Sequence, residues 1–294
     1  MPTQPPPKRS TALERLHKKS ISAKDIANQF WCEKQMELNY ATQAAPTAAM
    51  NKGSAIHAQL QEQVYRPLSV EPATWPDRMY KQAYENILSL NTLAEKMMAR
   101  EIKIYGSING YTVAGQIDEL RMAGGKAVIV ENKTTTSSSF NPEYTKPHVV
   151  QIMLYRKMLQ ELREGSYGYG NLDALYKLNT LKLSAGFAQG LREIGVKSEL
   201  MTVVAIYSRM FTAMSSLPEL SDSLILHYVN RNTGQQAGEL GVQYNADELG
   251  SQLSYAMGYW NGERQASPVA QSEKWKCRIC RFYGKQCTAW YPGA

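Results

Sequence analysis

The sequence lacks any apolar run that approaches the roughly 18 to 20 residues needed to span a bilayer. Its first twenty residues lack the apolar stretch of a secretory signal, and the prolines among them would break an amphipathic transit helix. No Pro-, Ser- or Gly-rich linker divides the 294 residues. We therefore expect an intracellular protein with a basic, disordered tail over residues 1–20 and a single domain over residues 21–294.

Cysteine is scarce: the chain has four, with Cys32 near its start and Cys277, Cys280 and Cys287 close together near its end. In a reducing compartment, thiols in this arrangement indicate metal ligands rather than disulfides. Four thiolates suit either zinc or an iron-sulfur cluster, and thiolate chemistry alone does not discriminate between them. Either centre would join the two ends of the chain and remove a long loop from the unfolded ensemble.

Acidic residues are outnumbered, with 26 Asp and Glu against 33 Lys and Arg, a net charge of +7 at pH 7. A basic surface attracts phosphate backbones and releases their counterions, which favours a polyanionic partner. Many basic proteins bind no nucleic acid, so the charge alone does not identify DNA as that partner.

Apolar periodicity predicts an α/β domain with a mixed sheet. The pair Asn109-Gly110 lies between two β-rich runs and predicts a hairpin, because both residues tolerate positive φ. A β-branched strand follows over 126–133, and a helix begins at His148. The other predicted elements are helices over 21–40, 50–65, 77–99 and 246–260, helical stretches over 165–198, and strands over 201–208 and 224–230.

Polar side chains lie at the ends of the second and third predicted strands, where sheet packing alone would favour apolar residues. Asp118 ends one strand, and Glu131 and Lys133 end the next. Side chains alternate along a strand, so Glu131 and Lys133 share a face and Asn132 points away. Two carboxylates close together stay ionised most easily around a cation, and oxygen ligands favour magnesium or manganese. The pattern also occurs by chance at strand ends, as solvated charges or an ordinary salt bridge.

Three further residues could belong to the same site. His57 lies on a predicted helix, where a single histidine is more often a surface or core residue than a ligand. Gln151 and Tyr155 are four residues apart and share one face of the helix that follows the third strand, so they could reach the cleft beside Lys133. Each of these features alone is more typical of packing than of chemistry.

Several ordered segments together resemble a known family, the iron-sulfur nucleases of the PD-(D/E)XK superfamily, and within it exonuclease V. The matching segments are, in order, FWCEKQ, KGSAIH, REIKIYG, GQIDEL, VIVENKT, QIMLY, YWNGERQASPV and WKCRICRFYGKQC. The resemblance implies a nuclease core over about 100–230, a central mixed β-sheet flanked by helices. N-terminal helices, a helical insertion and a C-terminal iron-sulfur clip, formed by Cys32 and residues 277–287, would complete the domain.

The resemblance also implies the roles of individual residues. His57, Asp118, Glu131 and the carbonyl of Asn132 would bind Mg²⁺ or Mn²⁺, and Lys133 would be the catalytic lysine. Gln151 and Tyr155 match the Q-x3-Y motif that lines the family's cleft. Cys32, Cys277, Cys280 and Cys287 match the four ligands of a [4Fe-4S] cluster. The implied reaction is exonucleolytic hydrolysis of single-stranded DNA in repair or genome maintenance, and we expect Tyr155 and Trp260 to help hold the strand.

The chain departs from the family pattern in two places. Thr135 and Thr136 stand where an arginine often follows the Lys-Thr pair, and residues 165–200 have only a general likeness. Two other functions are alternatives: a CRISPR-associated spacer-processing nuclease, and a non-catalytic single-stranded DNA-binding module. We expect a monomer that acts on single-stranded DNA, with a single-strand-binding protein as a partner and no membrane association. The compartment would be the cytoplasm in a prokaryote, or the mitochondrion or nucleus in a eukaryote.

Overall fold

A computed structural model of the chain describes residues 10–48, 51–53, 55 and 61–290. Its α-helices and β-strands follow one another as α1 (Ala12–Arg15), β1 (Ile21–Ser22), α2 (Ala23–Ala41), α3 (Trp75–Lys96), β2 (Met98–Ile108), β3 (Tyr111–Ala123), β4 (Lys126–Thr135), α4 (Lys146–Glu164), α5 (Tyr169–Tyr176), α6 (Ala185–Glu193), α7 (Val203–Ser215), β5 (Ser223–Asn230), β6 (Gln236–Gln243) and α8 (Ala246–Trp260). A 3-10 helix over Gln271–Ile279 follows them.

The strands form one mixed sheet, as the sequence predicts. The main path runs β1-β3-β4-β5-β6, and β2 pairs with β3. The β2-β3, β3-β4 and β5-β6 pairs are antiparallel, whereas β4 and β5 are parallel. A parallel pair needs a long crossover, and here that connection contains α4 to α7. Helices flank the sheet, with α4 in contact with β2, β3, β4 and β5, and with α2 packed against α4.

The hairpin between β2 and β3 is confirmed. Asn109 and Gly110 have φ of 48° and 79°, as a two-residue turn of mirror-image type requires. Pairing continues from Ile108 and Tyr111 at the turn to Met98 and Arg121 at the far end. This long ribbon provides the scaffold on which Asp118 is placed.

The strand predicted over 201–208 is wrong, because Val203–Ser215 form α7. Thr202 caps this helix by accepting a hydrogen bond from the amide of Ala205. The β-branched residues at the start favoured a strand, but the buried positions recur at helical spacing over a longer stretch, and length decides between the two. The buried side chains are Val203, Ile206, Tyr207, Met210, Phe211 and Met214.

Other predicted boundaries shift by a few residues or fall outside the described part. The helix predicted over 77–99 ends at Lys96, and β2 already begins at Met98. Helices over 21–40 and 246–260 are confirmed as α2 and α8. The middle of the helix predicted over 50–65, residues 56–60, lies outside the described residues.

Residues 10–20, which the sequence predicts as part of a disordered tail, are folded. Thr11 and Glu14 form a capping box at the start of α1, and Ala12 is fully buried. Lys18 forms an ion pair with Asp25 at 3.0 Å. The folded chain therefore begins before residue 21, because these capping and packing contacts outweigh the basic composition. Among the described residues, no helix has both the length and the apolar character to cross a membrane.

Candidate active site and cysteine pocket

The polar residues singled out on β3 and β4 lie where these two strands separate. They pair only until Glu119 and Val130, after which β4 continues alongside β5. On the same edge of β3, the other partner is β1 at Val113 and Ala114. Residues 115–118 of β3 and 131–133 of β4 therefore face an opening in the sheet, which we call the strand fork. Backbone groups in such an opening need partners other than a neighbouring strand.

Asp118 and Glu131 meet at the strand fork, as predicted. The carboxylate Oδ2 of Asp118 accepts a hydrogen bond of 2.8 Å from the backbone N–H of Asn132. Asp118 is 8% exposed and Glu131 is 1% exposed. The ammonium of Lys133 donates to Oε1 of Glu131 at 2.8 Å, so these two side chains share a face. The side chain of Asn132 points elsewhere, with its Oδ1 3.0 Å from Nδ1 of His227.

Gln151 connects the strand residues to helix α4. Its Oε1 accepts a hydrogen bond of 2.8 Å from Lys133, and its Nε2 donates to Oε1 of Glu131 at 2.9 Å. The same Nε2 lies 2.7 Å from the hydroxyl of Tyr155, one turn further along the helix. All four side chains form one buried hydrogen-bond network, so the geometric part of the prediction for Gln151 and Tyr155 is correct.

Tyr155 packs so closely on β3 that only glycine is accommodated opposite its ring. A Cβ on Gly115 would lie 2.6 Å from Cε1 of Tyr155. Burial raises the pKa of Tyr155 well above its usual value, and the nearby carboxylates of Glu131 and Asp118 raise it further. The phenol is therefore neutral at physiological pH and acts as a hydrogen-bonding group, not as a base. No local pattern in the sequence identifies Gly115, because its role depends on the position of α4.

A cleft of about 380 Å³ opens beside Asp118 and Tyr155. It also contains residues that the sequence analysis did not single out: Lys24 of α2, Glu101 and Lys103 of β2, and Gln116 of β3. Glu101 has a φ of 56° within its strand, and its carboxylate accepts a hydrogen bond from Nε2 of Gln116. Glu101 lies in the REIKIYG segment of the family resemblance, but its spacing in the sequence does not connect it to Asp118 and Glu131.

The carboxylates of the strand fork suit a hard divalent cation. Oε2 of Glu131 is buried without a hydrogen-bond partner, and a buried carboxylate oxygen in that state favours a nearby cation. With Asp118 it supplies the oxygen chemistry that Mg²⁺ and Mn²⁺ prefer. The third predicted side-chain ligand, His57, lies outside the described residues. Within the described ranges, no group of three or more His, Cys, Asp or Glu forms a site that could hold a single metal ion.

The four cysteines, distant in sequence, line one pocket. Cys32 lies at a kink inside α2, where its φ of −168° and ψ of 111° interrupt the helix. Gln35 lies close to two of the thiols: its amide N–H is 3.4 Å from Sγ of Cys32, and its Nε2 is 3.3 Å from Sγ of Cys280. The structure thus brings the first and last cysteine segments together, as the sequence predicts.

The thiols are close enough to influence one another electrostatically. Burial raises the pKa of Cys32, and its neighbours Cys280 and Cys287 raise it further. Burial also raises the pKa of Cys277, and the same two neighbours, Cys287 and Cys280, raise it further. Bringing buried thiolates together without a cation is unfavourable, so the donor set suits a positively charged metal centre.

A buried ion pair fixes the chain between α8 and the C-terminal cysteines onto α2. Glu33, next to Cys32, is 2% exposed and accepts hydrogen bonds from both terminal nitrogens of Arg264. The amide of Ser267 donates to the same carboxylate at 3.0 Å, and Nε2 of Gln29 donates to it at 2.8 Å. The carboxylate of Glu33 therefore has partners on both of its oxygens.

Three aromatic rings connect the cysteine pocket to the segment between β4 and α4. Tyr144 lies in that segment, and its ring centroid is 5.3 Å from that of Trp275 and 5.4 Å from that of Trp31. Trp31 precedes Cys32 directly, and Trp275 lies two residues before Cys277. Lys276 lies between these cysteine-flanking positions, only 4% exposed, with its ammonium 4.6 Å from the ring centroid of Trp31.

Trp260 is not available to hold DNA, contrary to expectation. It is fully buried, and its indole Nε1 donates to Oε1 of Gln29 at 3.0 Å. Tyr155 is only 1% exposed, so its ring also cannot stack on a base. Both aromatic side chains pack in the core instead. Trp260 of α8 faces α2, and Tyr155 of α4 faces the sheet.

Comparison with known proteins identifies the family of the chain. The family model for exonuclease V, a 5′ deoxyribonuclease, matches residues 11–128 and 188–291. Exonuclease V of Danio rerio is 23% identical over 278 residues, which cover 92% of this chain and 70% of that protein. The crystal structure of SSO0001 aligns with a TM-score of 0.42 and 15% identity, over 92% of this chain and 88% of that chain. The chain belongs to the exonuclease V family of 5′ deoxyribonucleases.

Proposed function

We propose that this chain is a Mg²⁺- or Mn²⁺-dependent exonuclease that hydrolyses single-stranded DNA in DNA repair or genome maintenance. The hydrogen-bond network of Glu131, Lys133, Gln151 and Tyr155 beside Asp118 carries this proposal. Buried charges joined in this way beside a cleft are typical of a reaction centre. We further propose that the enzyme is intracellular and monomeric and works together with a single-strand-binding protein.

Asp118 and Glu131 would hold the divalent ion, together with His57 and the carbonyl of Asn132. When bound, the ion supplies Lewis-acid polarisation of the phosphodiester and a water of lowered pKa. The buried, unpartnered Oε2 of Glu131 supports this assignment.

Lys133 is the cation of the network and would neutralise charge on the phosphate during hydrolysis. Its side chain is 16% exposed, so its ammonium is shielded from bulk water yet borders the site. Gln151 and Glu131 hold that ammonium from two sides, which fixes its position before substrate binds. Tyr155, neutral at physiological pH, orients Gln151.

The activity is tested on single strands labelled at either end, with circular single-stranded DNA as the control. We expect short products from linear strands, no cutting of circles, and complete loss of hydrolysis when a chelator removes divalent ions, because the two carboxylates would then lack their ion. Addition of Mg²⁺ or Mn²⁺ in excess of the chelator should restore hydrolysis. Cutting that persists in the chelator, or equal cutting of circles, would contradict the proposal.

We also propose that Cys32, Cys277, Cys280 and Cys287 hold a [4Fe-4S] cluster. Two observations support it: the four thiols line one pocket, and Gln35 lies within hydrogen-bond distance of two of the sulfurs. Hydrogen bonds to sulfur are a usual feature of such clusters. A single zinc ion would instead require all four sulfurs about 2.3 Å from one point.

Metal analysis of protein purified without oxygen tests the cluster. We expect about four irons per chain and a brown colour. Cys277→Ala should lose iron and melt at a lower temperature, because the connection between the two chain ends is released. The matched control is Ser272→Ala, an exposed change in the same segment. About one zinc and no iron per chain in the wild type would reject the cluster.

A further inference from the structure

Two lysines line the cleft beside the strand fork and have no role in the network described above. Lys24 is exposed near the start of α2, and Lys103 is half-buried in the middle of β2. The same cleft of about 380 Å³ is lined by Asp118 and Tyr155. Both lysines therefore border the cleft that reaches Asp118.

Lys103 is held in place by a buried side chain. Nδ2 of Asn86 donates to the carbonyl of Lys103 at 2.7 Å, and Oδ1 of Asn86 accepts from the amide of Lys103 at 2.8 Å. Asn86 is 2% exposed, so this part of β2 is fixed although its outer edge pairs with no strand in the described sheet. Opposite Lys103 in the sheet lies Gln116, which also lines the cleft.

Lys24 is placed by the start of its helix. Ser22 and Asp25 form a capping box there, with Oγ of Ser22 accepting from the amide of Asp25 at 3.1 Å. Asp25 itself pairs with Lys18 and accepts from Tyr40, so its charge is already matched by another lysine. Ser22, too, borders the cleft.

Neither ammonium has a hydrogen-bond or ion-pair partner within the described ranges. Lys24 and Lys103 line the same cleft. Burial lowers the pKa of Lys103, and the positive charge of Lys24 lowers it further. The carboxylates that share the cleft are Glu101, which accepts from Gln116, and Asp118, which accepts from Asn132. Two neighbouring cations in a confined cleft are stabilised by an anion between them.

We propose that Lys24 and Lys103 together hold one phosphate of the DNA strand, next to the phosphodiester that is cut at the strand fork. This inference rests on the proposed function. A phosphate offers several acceptor oxygens, so it can satisfy both ammonium groups at once and place the neighbouring nucleotide over Asp118. The phosphate is either internal to the strand or the 5′-terminal one, and the two sources are separated by experiment.

The test compares Lys24→Gln, Lys103→Gln and the double variant with wild type on single strands that carry a 5′ phosphate or a 5′ hydroxyl. We expect KM to rise about tenfold in the double variant, with kcat little changed, because a charge-assisted contact to substrate is lost. The slope of log KM against log salt should fall by about 0.7, the value for one phosphate contact on a single strand. The matched control, Lys126→Gln, removes an exposed lysine at the other end of β4.

Equal losses on both substrates support the proposal and place the phosphate inside the strand. A loss confined to the 5′-phosphorylated strand supports it and identifies the terminal phosphate. If Lys24→Gln and the double variant match Lys126→Gln in both KM and salt slope, the proposal is overturned. Lys24 is exposed at the surface, so its variant remains informative even if Lys103→Gln disturbs the fold. Wild-type protein that does not digest single strands would instead reject the proposed function.

Discussion

Replacement of Asp118 by asparagine is expected to lower the rate of DNA hydrolysis by about 10³-fold while leaving the protein folded. The change removes the negative charge that would hold the divalent ion. It retains an oxygen that can accept the hydrogen bond from the amide of Asn132, which Asp118 accepts at 2.8 Å. Product release from end-labelled single strands measures the effect, and the melting temperature checks the fold.

The matched control for Asp118 is Glu219→Gln, which also removes one negative charge. Glu219 is exposed, and its ion pair with Lys126 lies at the other end of β4 from the strand fork. Surface pairs of this kind contribute little to stability, so the control should digest DNA at the wild-type rate. An Asp118→Asn variant that keeps the wild-type rate would show that the reaction centre lies elsewhere.

Replacement of Glu33 by glutamine is expected to destabilise the protein by about 3 kcal/mol. The carboxylate is buried and accepts from Arg264, Ser267 and Gln29, so the variant leaves the guanidinium uncompensated and turns an amide group toward donors. Arg264 is 26% exposed, which places the effect at the lower end of the range for buried ion pairs.

Thermal or urea unfolding measures this loss, and the melting temperature should fall by roughly 6 to 12 °C. Glu164→Gln is the matched control, because its exposed carboxylate only accepts from Gln160 within α4 and an amide oxygen can do the same. If Glu33→Gln unfolds like Glu164→Gln, the Glu33–Arg264 pair does not hold the C-terminal segment on α2.

Parts of this site were predictable because they depend on local geometry. The Asn109-Gly110 turn, the shared face of Glu131 and Lys133, and the one-turn spacing of Gln151 and Tyr155 all follow from residue type and the period of a strand or helix. The four cysteines could be grouped from their scarcity alone.

Other parts depend on contacts between distant segments and left no local signal. The separation of β3 from β4 follows from the pairing of β4 with β5, almost a hundred residues later. The kink at Cys32 occurs inside a sequence of ordinary helical composition. Strand β6 was missed because Gly238 and Gly241 lower its strand propensity, although pairing with β5 stabilises it.

The carboxylate of Asp118, which we propose as a metal ligand, also has a structural role at the strand fork. The carboxylate of Asp118 completes the hydrogen bonding of a backbone amide that has lost its neighbouring strand. In a descendant that gave up catalysis, replacing Lys133 would break no backbone hydrogen bond, because its ammonium donates to the side chains of Glu131 and Gln151. Such a descendant could replace Asp118 only by a residue that still accepts from Asn132, such as asparagine. Members that have lost catalysis should therefore keep an Asp or Asn at this position of β3.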